Sequence, residues 1–268
     1  MNVFEKFVKL ISFEFAKKHY PYGWFHILWL ITVICATVFL CVKLKDCDEK
    51  TFRKTLLITW MVIFVFEIYK QIVSPFNYNN GNPIWDYNTN DIPNQFCSSI
   101  HYVLLPIVFL KDGKVRDAFM SFSSTFVFLA GLMVMIIPDQ LSDSKVVGLC
   151  MQTMLHHGAQ ILAGAFISVR MRKKFSVKYF LSGVIVFLAF LIVAMGLNLI
   201  LSPKIIHETI NFFYISPYYG CPLPVLGDIQ KVVPYIVFFM IYCVGFIVAS
   251  ALIAFLFWFF LRKLQKNQ

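Results

Sequence analysis

Charge is scarce in this chain. Only 14% of its 268 residues are Asp, Glu, Lys or Arg, where a soluble domain carries about 25%. The shortage comes with 59% hydrophobic residues and 30 phenylalanines. A single core of this size cannot bury that much apolar surface, so a water-soluble fold is excluded and lipid is the expected solvent. Acidic residues are scarcer still, 14 against 24 basic, for a net charge of +10. The basic excess does not point to nucleic acid. Lys and Arg sit in short clusters between apolar runs, as topology signals and anionic-lipid anchors do.

Motif chemistry is also thin. There is no CxxC or HExxH, and the seven cysteines have no metal-ligand or redox spacing. The sequence therefore calls for no metal, nucleotide or other cofactor. Cys35, Cys41, Cys150 and Cys243 fall in or beside apolar runs, where cysteine serves as a small core residue. No internal repeat is visible. No cleavable signal peptide is expected, because residues 1–23 carry charge throughout and the first long apolar run exceeds a signal h-region. The apolar runs leave no room for a second, soluble domain.

What the chain does have is a series of stretches near the roughly 20 residues that cross a bilayer. Seven are read: Trp24–Val42, Leu56–Val73, Ile92–Leu110, Ala118–Ile137, Gly148–Val169, Tyr179–Ser202 and Val232–Leu261. The expected fold is all-α, a polytopic membrane bundle of seven helices over residues 24–262. Before it, Val3, Phe4, Phe7, Val8, Ile11 and Phe15 recur near a 3.6-residue period, with Lys6, Lys9 and Lys17 between them. That pattern predicts an amphipathic helix in the interface over 1–23. Residues 263–268 form a short basic tail.

Lys and Arg also predict orientation. The first, third and fifth connections carry five, three and five of them and the C-terminus three, against none, one and two in the other connections. The rich side is expected in the cytoplasm, with the C-terminus. Four lysines before the first span oppose this unless residues 1–23 lie on the lipid surface.

Ionisable and polar groups inside a span are costly, so each is a functional candidate. They are Glu67 in the second span, Cys97 and His101 in the third, His156 and His157 in the fifth and Asn198 in the sixth. At 1.5 Å per residue, Cys97, His101, His157, Glu67 and Asn198 all lie between about 6 and 14 Å from the outer edge. One shared depth suggests one outward-facing pocket. Cys97 and His101 are four apart and share a helix face. A thiol near an imidazole can become a nucleophilic thiolate. His157 is the other possible base, and the competing reading is that these histidines only bridge helices. Adjacent His156 and His157 diverge by about 100°, so one of them at most is expected to face the pocket. Two outer loops flank it. Residues 74–91 are rich in turn formers. Residues 203–231 carry Pro217, Gly220, Pro222, Pro224 and Gly227 in an apolar context, which reads as a lid or re-entrant stretch.

The stretch Ile92-Pro93-Asn94-Gln95-Phe96-Cys97-Ser98-Ser99 resembles the LPLHLCS signature of the YwaF-like family of bacterial integral membrane proteins. His157-Gly158 resembles that family's SHG helix motif. Asn211-Phe212-Phe213-Tyr214 through Pro222-Leu223-Pro224-Val225-Leu226-Gly227 resembles its segment before the last span. The likeness covers most of residues 55–260. Gln95 stands where many members have His, and Asp228 follows Gly227 where Trp-Pro is usual. The resemblance implies relation to a eukaryotic multispanning acyltransferase acting on glycerophospholipids, ether lipids included. Carried over, Cys97 would be the acyl-accepting nucleophile and His157, or His101, its base. Glu67, Gln95, Asn198 and Asn211 would line the substrate site, with Asn211 a motif residue of unassigned role. The expected partners are a phospholipid substrate and the membrane, in a bacterial plasma membrane, with oligomeric state open. A non-catalytic transporter or receptor-like binding protein fits the same pattern, as does a structural subunit of a membrane complex.

Overall fold

In lipid every backbone N–H and C=O must find a partner within the chain, so the apolar runs fold as helices. A computed structural model describes residues 2–79, 82–137, 144–201 and 210–266. Its helices are α1 (Val3–Ile11), α2 (Trp24–Lys43), α3 (Glu49–Val73), α4 (Ser99–Phe109), α5 (Lys114–Phe122), α6 (Phe128–Ile136), α7 (Val147–Arg170), α8 (Val177–Ile200), α9 (Leu226–Val232) and α10 (Tyr235–Lys266). A π-helical stretch, Ser123–Val127, joins α5 to α6 without a break. An antiparallel hairpin, β1 (Phe76–Asn79) and β2 (Asn82–Trp85), follows α3 with Phe76 opposite Trp85. It lies in the loop read as 74–91.

Among the described residues, five helices are long and apolar enough to cross a membrane. They are α2, α3, the α5–α6 rod Lys114–Ile136, α8 and the Tyr235–Arg262 part of α10. Their outward faces are exposed and apolar, for example Leu28, Ile31, Val38 and Val42 on α2 and Met240, Val244, Val248 and Leu252 on α10. The other two expected spans take different forms. Ile92–Leu110 is helical only from Phe96, where a 3₁₀ turn (Phe96–Ser98) leads into α4. Pro93, which lacks a backbone donor, stands in the irregular start. The fifth, α7, runs within one residue of its expected bounds. Its polar residues set it apart from the five, and they are tolerated because α2, α3, α6 and the π-helical stretch pack around it.

Small residues allow that packing. A Cβ on Gly131 of α6 would stand 2.6 Å from the His157 carbonyl oxygen and 2.7 Å from Gln160 Cβ. A Cβ on Gly158 of α7 would stand 2.5 Å from Val33 Cγ2. Both glycines bring a neighbouring helix against the same turn of α7.

The N-terminal helix is shorter than the 1–23 expected. The helix α1 starts with an Asn2–Glu5 capping box and stops at Ile11. Beyond it Glu14 bridges Val146, with Phe15 N–H donating to the Lys145 carbonyl at 2.9 Å. Phe15 leaves the expected stripe and packs its ring against His19 and Phe25. On α1 itself Val8 is buried while Val3, Phe4, Phe7 and Leu10 are exposed. At the other terminus α10 continues to Lys266, so most of the tail expected at 263–268 is helix. Ser202, residues 203–209 of the second loop, residues 80–81 of the first and residues 267–268 lie outside the described residues.

The basic connections meet at one end of the bundle. Asp48 caps α3, and hydrogen bonds from the Thr51 side chain and backbone hold its carboxyl below the usual carboxylate range. Glu49 beside it pairs with Arg53 (2.6 Å), Arg116 (2.5 Å) and Arg170 (3.1 Å). Arg53 and Arg116 also donate to the carbonyls of Ile107, Val108 and Leu110, satisfying the end of α4. Arg172 donates to the Lys45 carbonyl and pairs with Asp46. The opposite end joins Ile11 to Tyr69, Tyr22 to Ile136 and Gln71 to Asp91.

Candidate active site

Cys97 lies in the 3₁₀ turn that starts the third segment. Two polar side chains of α7 hold its backbone. His156 Nε2 is 3.2 Å from the Cys97 carbonyl oxygen, and Gln160 Nε2 donates to the same oxygen at 2.9 Å. The thiol then falls beside the imidazoles. One ligand atom from each of Cys97, His156 and His157 lies within 4.8 Å of the other two. Cys97 is partly buried, while both histidines are buried.

The tautomers follow from the partners. A carbonyl only accepts, so the nitrogen facing it carries the hydrogen. His157 Nδ1 faces the Thr153 carbonyl at 2.8 Å, which makes His157 Nε2 the lone-pair nitrogen of the neutral ring. His156 Nε2 faces the Cys97 carbonyl, which makes Nδ1 its lone-pair atom. Both lone-pair nitrogens are buried with no hydrogen-bond partner among the described residues. His26 on α2 shows the opposite case. Its Nδ1 accepts from Tyr22 N–H at 3.0 Å and its Nε2 lies 3.0 Å from the Met135 carbonyl, as in a purely structural histidine.

His101 is not in the Cys97 group. The kink that puts Cys97 in a 3₁₀ turn separates the two, and His101 groups instead with Glu67 and His156, again within 4.8 Å. Its ring centroid is 5.1 Å from that of His156, and neither of its ring nitrogens has a hydrogen-bond partner among the described residues. Glu67 is buried and well partnered. Lys70 Nζ is 3.1 Å from its Oε1, which also accepts from Gln71 Nε2 at 2.8 Å, and Gln152 Nε2 donates to Oε2 at 3.1 Å. Gln71 carries the network outward to Tyr87 and to the Asp91 carbonyl.

Gln95, Asn198 and Asn211 use their amides on backbone. Asn198 donates to the Phe212 carbonyl at 2.9 Å and accepts from Phe212 N–H at 2.8 Å. Gln95 donates to the Asn211 carbonyl and accepts from Phe213 N–H, at 3.1 and 2.9 Å. Asn211 donates to the Gly220 carbonyl and accepts from Ser216 N–H. Tyr242 adds a hydrogen bond to the Phe213 carbonyl at 2.8 Å. These contacts give non-helical backbone inside the bundle the partners it needs. They also hold Phe213 and Tyr214 at φ 57°, a left-handed conformation rare outside glycine. Asn198→Leu leaves the buried Phe212 N–H unpaired and its carbonyl with only the Ile215 N–H, at 3.3 Å, and the unpaired group costs about 1–3 kcal/mol. A lowered unfolding temperature in detergent, with Asn198→Gln intermediate, is the expected result.

The sequence reading passed over Lys70, Gln152 and Gln160 and expected one of His156 and His157 at most in the pocket. Both group with Cys97, one ligand atom from each residue lying within 4.8 Å of the others. The available signal was the four-residue spacing of Gln152, His156 and Gln160, one polar stripe on an otherwise apolar helix. All seven cysteines, Cys97 and Cys221 included, are free thiols.

No curated protein and no solved structure matches the chain significantly. A family model does match, over residues 21–262, and the chain with this thiol–imidazole centre belongs to the TMEM164 family of membrane proteins.

Proposed function

We propose that this membrane protein is an acyltransferase or transacylase that moves a fatty acyl chain between phospholipids through a thioester on Cys97. The observation that carries the reading is the grouping of a partly buried thiol with two buried imidazoles whose lone-pair nitrogens are unpartnered. The resemblance of residues 92–99, 157–158 and 211–227 to the YwaF-like family supports it. His157 Nε2 takes the thiol proton, and a closing movement of about 1 Å brings the pair to hydrogen-bond distance. The thiolate attacks the donor ester carbonyl, the ester C–O bond breaks, and the departing lysophospholipid oxygen takes the proton from His157. A second lysophospholipid hydroxyl then gives its proton to His157 and attacks the thioester, which returns the thiolate as leaving group. Two moderate steps replace one difficult exchange. Glu67, with Lys70 and Gln152, orients the His101–His156 side. Gln95, Asn198 and Asn211 shape the wall of the substrate site through the 211–216 backbone.

The topology that goes with this function has seven crossings, the segments beginning at Ile92 and Val147 included. An interfacial α1 and a cytoplasmic C-terminus complete it. Protease or tag accessibility in sealed vesicles tests the orientation. The C-terminal tag is expected to be reached only from the cytoplasmic face, and a tag reached from outside reverses it.

Purified protein in liposomes, given a phospholipid with a labelled acyl chain and an unlabelled lysophospholipid, is expected to produce labelled diacyl product from the acceptor. Protein that binds lipid yet yields no product under these conditions is a binding protein or transporter, and the enzymatic reading falls.

A further inference from the structure

Buried ring nitrogens without partners call for an explanation, and four of them converge in this bundle: both nitrogens of His101, Nδ1 of His156 and Nε2 of His157. We infer that Cys97, His156 and His157 also form a binding site for a zinc-class divalent ion, with Cys97 Sγ, His156 Nδ1 and His157 Nε2 as ligands.

The second shell supports this most strongly. A histidine that ligates a metal typically donates its other ring N–H to a carbonyl or carboxylate, which fixes the tautomer and aims the lone pair at the ion. His156 and His157 each do so, toward the Cys97 and Thr153 carbonyls. His26 does not present a free lone pair, since both its nitrogens are engaged. The donor set of one thiolate and two neutral imidazoles suits zinc. One ligand atom from each of the three residues lies within 4.8 Å of the other two. Tetrahedral zinc, with bonds of about 2.0–2.3 Å, needs them about 3.3–3.7 Å apart. Binding therefore draws them together by about 1 Å and leaves a fourth position open to water. The thiol proton is released as the S–metal bond forms. The Lys70 ammonium nearby is offset by its 3.1 Å pair with Glu67. Sequence spacing hides such a site because Cys97 is 59 residues from His156 and no short ligand motif links them.

The inference stands apart from acyl transfer, because an ion and an acyl chain compete for one sulfur. Titrating chelator-treated full-length protein in detergent with Co²⁺ tests it. Saturable uptake of one ion per chain is expected, with a near-ultraviolet thiolate-to-cobalt charge-transfer band and tetrahedral d–d bands, all displaced by Zn²⁺. Cys97→Ser should remove the charge-transfer band, His156→Ala or His157→Ala should weaken binding at least about tenfold, and Cys35→Ser should change nothing. Elution volume and thermal melt confirm that each variant is folded. No saturable uptake by folded wild type, or a charge-transfer band that survives Cys97→Ser, overturns the site. A cobalt band on protein that never acquires an acyl mass defeats only the transfer reading. An acyl mass on protein that binds no cobalt defeats only this one.

Discussion

Cys97→Ala is expected to reduce labelling by an acyl activity probe to background while the protein remains folded. No other cysteine has comparable surroundings. Cys150 donates its thiol to the Ser144 carbonyl, Cys221 is buried in the core cluster around Phe213, and Cys35 is exposed on α2. Removing one partly buried sulfur costs about 1 kcal/mol, so lost labelling with only a small fall in melting temperature isolates the chemistry. Labelling that persists at the wild-type level would eliminate Cys97 as the nucleophile.

His157→Gln should slow thioester formation by about 10²–10⁴, the usual contribution of a positioned general base. Glutamine is close in size and can still donate to the Thr153 carbonyl, but it has no basic nitrogen. His101→Gln should have a much smaller effect, because His101 groups with Glu67 and His156 rather than with the sulfur. Single-turnover labelling rates compare the two directly. A larger loss in His101→Gln than in His157→Gln would move the base assignment to His101.

The helices were legible because their pattern is local. Apolar runs between Lys/Arg clusters gave α2 and α7 to within one residue at each end and the C-terminal end of α3, which begins at Glu49 rather than Leu56, and the basic connections do gather around Glu49. Tertiary geometry was not legible in the same way. A uniform rise of 1.5 Å per residue put Cys97 and His101 on one helix face, but a 3₁₀ turn preceded by Pro93 places the sulfur with α7 instead. Asn198 reads as a site residue from its depth, and Gln95 from its place in the family-like stretch 92–99. Their amides bind the Phe212 and Phe213 backbone, a demand set by a loop far away in sequence. Phe15 fitted a helical period that ends at Ile11, because the backbone beyond pairs with residues 145–147.

The most direct measurement is peptide mass spectrometry of the purified protein after incubation with donor phospholipid and no acceptor. The account predicts a fatty acyl mass on the peptide containing Cys97, removed by neutral hydroxylamine and discharged when lysophospholipid is added. An unmodified Cys97 peptide, or an acyl group that lysophospholipid cannot discharge, would contradict it.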